Sequence, residues 1–358
     1  MLATGLSIAV FLLLAGWLVR RRRSIAPAMN GDALRGPTAG PAAAPPEHAP
    51  TAPAAPAVPA AASSDLAAQR LWRLAFGAPL QPPPLVRAHA RVRQLICAKL
   101  EVDELDSSYF PRRPALMSQL MQALDDPDTA SDKVSRMIAH DPVLTADVLR
   151  LANSSLYRSS PAPIESIQRA AVICGVDALR SILATAMIRP VFRASRTNFP
   201  RFPRMLWDRT ERAARAAELY AARLHPQDRF EAQLVVLLSA LGPLVVYSAA
   251  LDGYSRAPQL TPNPSLLVEL ISTLAPRLSR RIAHDWQTSP RLRASLEDSA
   301  DGALADALHF GELTGTLSLL ETARALSGEE RSAVTQEAGL PQELIEEIWP
   351  RLTGASQP

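Results

Sequence analysis

The sequence predicts an all-α protein, and three observations carry that expectation. Beyond Ser64, apolar residues recur at intervals of three and four. Residues that start and stop helices punctuate those runs. No stretch alternates apolar and polar side chains as a half-buried strand does.

The first element is a different kind of helix. Leu2 to Val19 carry no charged side chain, and these 18 positions make about 27 Å of helix, nearly a bilayer core. Trp17 suits an interfacial anchor, and Arg20, Arg21, Arg22 and Arg23 stop the span. A cleaved signal peptide has its positive charge before the apolar stretch; here the order is reversed. Residues 1–24 therefore read as a single-pass anchor with the N-terminus outside and the rest of the chain on the cytoplasmic side, as in a bacterial inner membrane.

From Ala26 to Ala62, 24 of 37 residues are alanine or proline. Such a stretch buries no core, so residues 25–64 read as a disordered tether. Residues 65–109 form a helical lead-in: Asp65 can cap a helix that ends at Gly77, and Val86, Val92, Leu95, Ile96 and Leu100 follow at helical spacing. Helical segments then run from 115 to 125, 131 to 140, 142 to 153, 164 to 174, 177 to 193, 205 to 224 and 229 to 250. Further segments cover 264–273, 276–286, 290–297, 303–326 and 341–352. Domain boundaries fall at 110–310 for the main body and 311–358 for a C-terminal helical extension.

Composition excludes several classes. The four clustered arginines account for the net charge of +3; the other 34 basic residues face 35 acidic ones, so no nucleic-acid partner is expected. Cys97 and Cys174 lie far apart, which argues against a disulfide framework and a cysteine zinc site. No G-x-S-x-G elbow or phosphate-cradling glycine loop occurs.

Several boundaries have a mechanism. Asp141 reads as an N-cap with Pro142 at the first helical position, where the missing N–H costs nothing. Asn153 falls where that helix stops and tolerates the left-handed conformation. Gly175 separates two helices, with Asp177 able to cap the second. The hairpin imitates a DNA-binding helix-turn-helix, yet Ala178, Leu179, Ile182 and Leu183 leave only Arg180 to contact bases. Arg209, Arg212 and Arg215, interspersed with Glu211 and Glu218, read as a solvated helix face.

The run from His140 through Asp141, Pro142 and Val143 to Asn153 and Ser154 resembles the signature of the HDOD family, the HD-related output domain of bacterial signalling proteins. The resemblance continues through Ile164, Gly175, Leu179 and Arg180 to Trp286 and Pro290. It implies a helical lobe followed by a lobe related to HD-type metal phosphohydrolases. Those enzymes hold metal with a His-Asp pair in a Leu-Leu-His-Asp-Ile-Gly context; the matching place here reads Leu237-Leu238-Ser239-Ala240-Leu241-Gly242. The first histidine's place matches Arg209, and a later histidine pair matches Leu296-Glu297-Asp298-Ser299. Two literal His-Asp pairs, His140-Asp141 and His284-Asp285, lack the apolar prefix and the glycine.

The expectation is accordingly a non-enzymatic signalling module with no metal and no cofactor. It would bind a signalling protein or small ligand; Asp141, Pro142, Asn153, Ser154, Gly175 and Trp286 carry the family signature and are the candidate site, with a structural role for Asp141, Asn153 and Ser154 as the competing reading, and homo-oligomers are compatible with it. The alternative is a divergent HD-type phosphohydrolase acting on nucleotides or cyclic dinucleotides through a rebuilt metal site.

Overall fold

The computed structural model describes residues 60–77, 86–101, 138, 142–158, 162–192, 199–297 and 300–354. The expected anchor with Arg20–Arg23, most of the tether, the segment at 115–125 and all of 131–140 but Ile138 lie outside them, as does Asp141. Among the described residues every regular element is helical.

Two lead-in helices come first, α1 (Ala60–Phe76) and α2 (Arg87–Leu100). Helix α1 starts before Asp65, which therefore sits inside the helix instead of capping it. A first lobe follows, with α3 (Pro142–Ala152), α4 (Ile167–Cys174) and α5 (Val176–Ile188), extended by a 3₁₀ turn at Arg189–Phe192. Gly175 ends α4 and opens α5 at φ 81°. A Cβ added there would meet nothing within 4 Å, so the backbone conformation, not crowding, calls for glycine. Ser181 to Ile188 are all buried, which denies α5 the role of a groove-reading helix. Arg180 sits instead over the Phe230 ring at 5.8 Å.

The second lobe holds α6 (Arg201–Leu224), α7 (Arg229–Ser239), α8 (Leu241–Ser255), α9 (Pro264–Asp285), α10 (Pro290–Ser295) and α11 (Ala303–Thr322). The expected 229–250 helix is two, divided at Ala240. The two segments expected at 264–273 and 276–286 are one, because α9 continues through Pro276. Asn263 caps α9 by accepting from Ser265 and Leu266. The apolar stretch Pro226–Ser255 is long and hydrophobic enough to cross a membrane, yet 72% of its apolar window is buried in protein, as core helices are.

Helix α11 is buried at every position from Ala307 to Leu320 except His309, and α6 is its main partner. Two glycines explain how close the two helices come. A Cβ on Gly311 would lie 2.5 Å from the Ala213 carbonyl oxygen, and one on Gly315 would lie 2.6 Å from Ala213 backbone atoms. The expected boundary at 310 falls inside this helix.

Two further helices, α12 (Gly328–Glu337) and α13 (Gln342–Thr353), complete the body. Helix α12, absent from the sequence expectation, is held by a Ser327–Glu330 capping box. Trp72 and Phe76 of α1 stack with Phe202, and Arg70 makes a two-pronged ion pair with Glu330 at 2.7 Å. The lead-in helix α1 is thus joined to α12 near the other end of the chain.

Candidate functional site

Helices α6, α7 and α11 bring Arg209, Ser239 and Glu312 together. Arg209 Nε donates to Thr316 Oγ1 at 2.9 Å, and its guanidinium lies 4.0 Å from a Glu312 oxygen. Ser239 Oγ is 2.9 Å from both the Val236 carbonyl and the other Glu312 oxygen. It has one proton, and the carboxylate is the stronger acceptor. Ser279 of α9 donates to the Ser239 carbonyl at 2.8 Å and accepts from the Gly242 N–H at 3.2 Å. Gly242 is obligatory, since a Cβ would lie 2.2 Å from the Ala275 carbonyl oxygen. Ala240 is buried and offers no donor atom.

These residues do not fit a divalent metal. The cluster contains one carboxylate, faced by a permanent cation where an enzyme would need another ligand. Among the described residues no group of three or more histidine, cysteine, aspartate or glutamate side chains is placed to hold a metal. The His284-Asp285 pair lies outside this centre, exposed at 73% and 47% and separated by 3.6 Å. Glu297 pairs with Arg280 at 3.5 Å, and Asp298 and Ser299 lie outside the described residues. Sequence reading missed Glu312. Its signal was an acid between Gly311 and Gly315, where glycine spacing marks close helix approach.

The signature segment has a separate setting. Asn153 is fully engaged with backbone: its Nδ2 donates to Leu149 and Ile164 carbonyls at 2.9 and 2.8 Å, and its Oδ1 accepts from the Ile164 N–H at 2.8 Å. It does not adopt the left-handed conformation expected of it; the described non-glycine residues that do are Gln287 and Arg324. Ser154 Oγ donates to the Leu151 carbonyl at 2.7 Å. Pro142 opens α3, as expected. Trp286 is buried at the C-terminal end of α9, where Gln287 and Thr288 close the turn.

The supposed solvated arginine face is mostly interior. Arg215 Nε donates to the Leu156 carbonyl at 2.7 Å, tying α6 to the signature loop. Its other nitrogen reaches Glu218 at 2.7 Å, and Arg229 reaches the second Glu218 oxygen at 3.1 Å. The Arg215 guanidinium also covers the Tyr157 ring at 4.6 Å. Burial pushes the Tyr157 hydroxyl far above its ordinary range. Gln233 Nε2 lies 3.1 Å from that hydroxyl and 2.7 Å from Thr185 Oγ1. The residue spacing fits a surface stripe equally well; what covers it is α11 at Arg209, the end of α13 at Arg212 and the signature loop at Arg215. Nearby, burial raises Asp208 and Glu211 above the usual carboxylate range, against the pull of Arg189 and its neighbours. Burial lowers Arg212, which donates to the Leu352 carbonyl at the end of α13.

The HDOD domain matches residues 110–301, more than half of the chain. The chain belongs to the HDOD family. Among solved structures, the HDOD chain is similar to a protein from Shewanella amazonensis SB2B provisionally named a metal-dependent phosphohydrolase. The identity is 18% and the TM-score 0.52, over 75% of this chain and 99% of that one. It is also similar to an HDOD domain protein of unknown function from Geobacter sulfurreducens, with 20% identity and a TM-score of 0.51 over 74% and 97% of the two chains. A protein from Marinobacter aquaeolei VT8, provisionally named a signal transduction protein, matches at 18% identity and a TM-score of 0.46, over 76% of this chain and 64% of that one. No curated protein matches. At these identities the likenesses speak to the fold.

Proposed function

We propose that this HDOD protein is a non-catalytic, membrane-tethered regulatory module that binds a signalling protein or small ligand. The observation that carries this reading is the Arg209–Ser239–Glu312 cluster: where HD enzymes place a metal centre, this chain places an internal cation facing its own carboxylate. Water activation by a metal needs several anionic or neutral ligands and an open position, and this cluster supplies neither. What remains is a rigid helical body whose two lobes are wired through Arg215 to the signature loop. The N-terminal apolar segment and Arg20–Arg23 support a single-pass anchor in a bacterial inner membrane, with the body on the cytoplasmic side. Anchoring then raises the local concentration of the body near membrane-bound partners.

The test of the non-catalytic reading is a metal-loading and hydrolysis assay on the purified full-length protein. After incubation with Mn²⁺, Mg²⁺ or Fe²⁺, neither stoichiometric bound metal nor hydrolysis of nucleotides or cyclic dinucleotides is expected. Metal-dependent turnover abolished by Glu312→Gln would overturn the reading in favour of a divergent phosphohydrolase. Alkaline extraction of native membranes tests the anchor separately: the protein should stay with the pellet, and release into the supernatant would remove the anchor from the account.

A further inference from the structure

A groove between α1 and the turn joining α11 to α12 lies about two and a half helical turns along α11 from Glu312. Its volume is about 770 Å³, within the span of small-molecule sites, roughly 300–1,000 Å³. Arg70, Arg73 and Leu74 come from α1; Glu321, Arg324, Ala325, Leu326 and Glu330 come from the other wall. Both acids are already engaged. Glu330 takes the two-pronged contact from Arg70, and Glu321 accepts from the Trp349 indole at 3.2 Å with Arg331 3.8 Å away. Arg73 and Arg324 are exposed, and neither has an ion-pair or hydrogen-bonding side-chain partner among the described residues.

Arg324 is held in an unusual way. It occupies the left-handed position, φ 55°, of the turn that ends α11, where Arg324 N–H bonds to the Glu321 carbonyl and Ala325 N–H to the Leu320 carbonyl. Glycine is the ordinary occupant of that position. The same chain uses one where α12 ends: Gly339 at φ 66°, with the Leu340 N–H bonded back to Thr335. Gln287, at φ 53° with the Thr288 N–H bonded back to Ala283, closes the same kind of turn at the end of α9, so the conformation alone does not mark a site. What sets Arg324 apart is its place on the rim of a groove whose other wall carries a second unpaired arginine.

We propose that this groove binds a soluble organic phosphate, with Arg73 and Arg324 gripping the phosphate from opposite walls and Leu74, Ala325 and Leu326 receiving the rest of the molecule. Guanidinium groups match phosphate oxygens in charge and planar geometry. The site is distinct from the signature loop and from the Arg209 cluster. Its occupant would fasten the lead-in helix α1 to the end of α11.

The experiment is calorimetric titration of the full-length protein in detergent with ADP and, separately, with inorganic pyrophosphate. Saturable one-to-one binding is expected, tighter for ADP because its nucleoside meets the apolar wall. Arg73→Gln and Arg324→Gly should each weaken it about tenfold or more. Arg204→Gln, at an exposed arginine outside the groove, should leave it unchanged. Arg324→Gly also separates function from structure, because glycine fits the turn better: its melting temperature should equal or exceed that of the parent. No saturable heat from either probe up to about 5 mM overturns the proposal. Affinity preserved in both groove variants does so too, and a lowered melting temperature in Arg324→Gly would assign the arginine to the fold alone.

Discussion

Two arginines on α6, Arg209 and Arg215, each face a glutamate, and the two pairs are built to different standards. Arg215 meets Glu218 at 2.7 Å with both partners buried; Arg229 takes the second carboxylate oxygen, and the Leu156 carbonyl accepts from Arg215 Nε. Arg209 stands 4.0 Å from Glu312, with about a tenth of each side chain exposed and hydroxyls filling in around them. The first is a closed network at the junction of two lobes. The second is a looser pair, at positions that resemble the metal-holding positions of HD enzymes. A pair that still reaches solvent tolerates loose geometry, whereas a buried junction cannot tolerate slack, since an unmatched charge there has no water to turn to.

The sharpest way to break this comparison is Arg215→Ala. It leaves the buried Glu218 carboxylate to Arg229 alone and the Leu156 carbonyl without its donor, and should cost about 3–5 kcal/mol in chemical denaturation; a loss below about 1 kcal/mol would show that water reaches the junction. Asn153→Ala comes next. It leaves the Ile164 N–H and carbonyl without their side-chain partner, while the Leu149 carbonyl keeps the N–H of residue 153, a loss of roughly 1–3 kcal/mol, read most directly as faster amide exchange at Ile164. At the outer edge, Arg70→Gln should cost at most about 1 kcal/mol near neutral pH, because that ion pair is partly exposed. Its pH dependence has a definite sign. Arg70 holds the Glu330 carboxyl down at about 2, below its ordinary 4.5, so the pair's contribution is full above pH 4.5 and fades as pH falls toward 2. The difference between parent and Arg70→Gln should shrink over that window, and a constant difference would trace the loss to packing. Smallest of all is the coupling between Arg209 and Glu312, which a double-mutant cycle should place under about 0.5 kcal/mol. A coupling as large as that of Arg215 and Glu218 would erase the distinction.

Most helices were legible because their apolar periodicity and punctuation agree, as at Pro142 and Gly175. The errors have physical causes. Proline at 276 reads as a break, yet α9 continues through it because the surrounding apolar face, from Leu266 to Ile282, stays buried on either side. Helix α12 carries few apolar residues, so its periodicity was silent, although the serine and glutamate of its capping box stand in plain view. The arginines of α6 misled for a deeper reason. Spacing says which side chains share a face, and only tertiary packing says what that face meets. Glu312 was hidden likewise, since the centre it joins is assembled from three helices far apart in the chain.

The glycine-lined contact between α6 and α11 has a consequence for how the protein is made. Nearly a hundred residues separate the end of α6 from the end of its partner. At translation rates of roughly 5–20 residues per second, α6 waits on the order of 5–20 s after emerging before Gly311 and Gly315 can close on Ala213. Throughout that interval its alanine face is open to other chains. The second lobe is therefore completed late in synthesis, and a ribosome that stalls between α9 and α11 leaves behind a chain with its central groove unfilled.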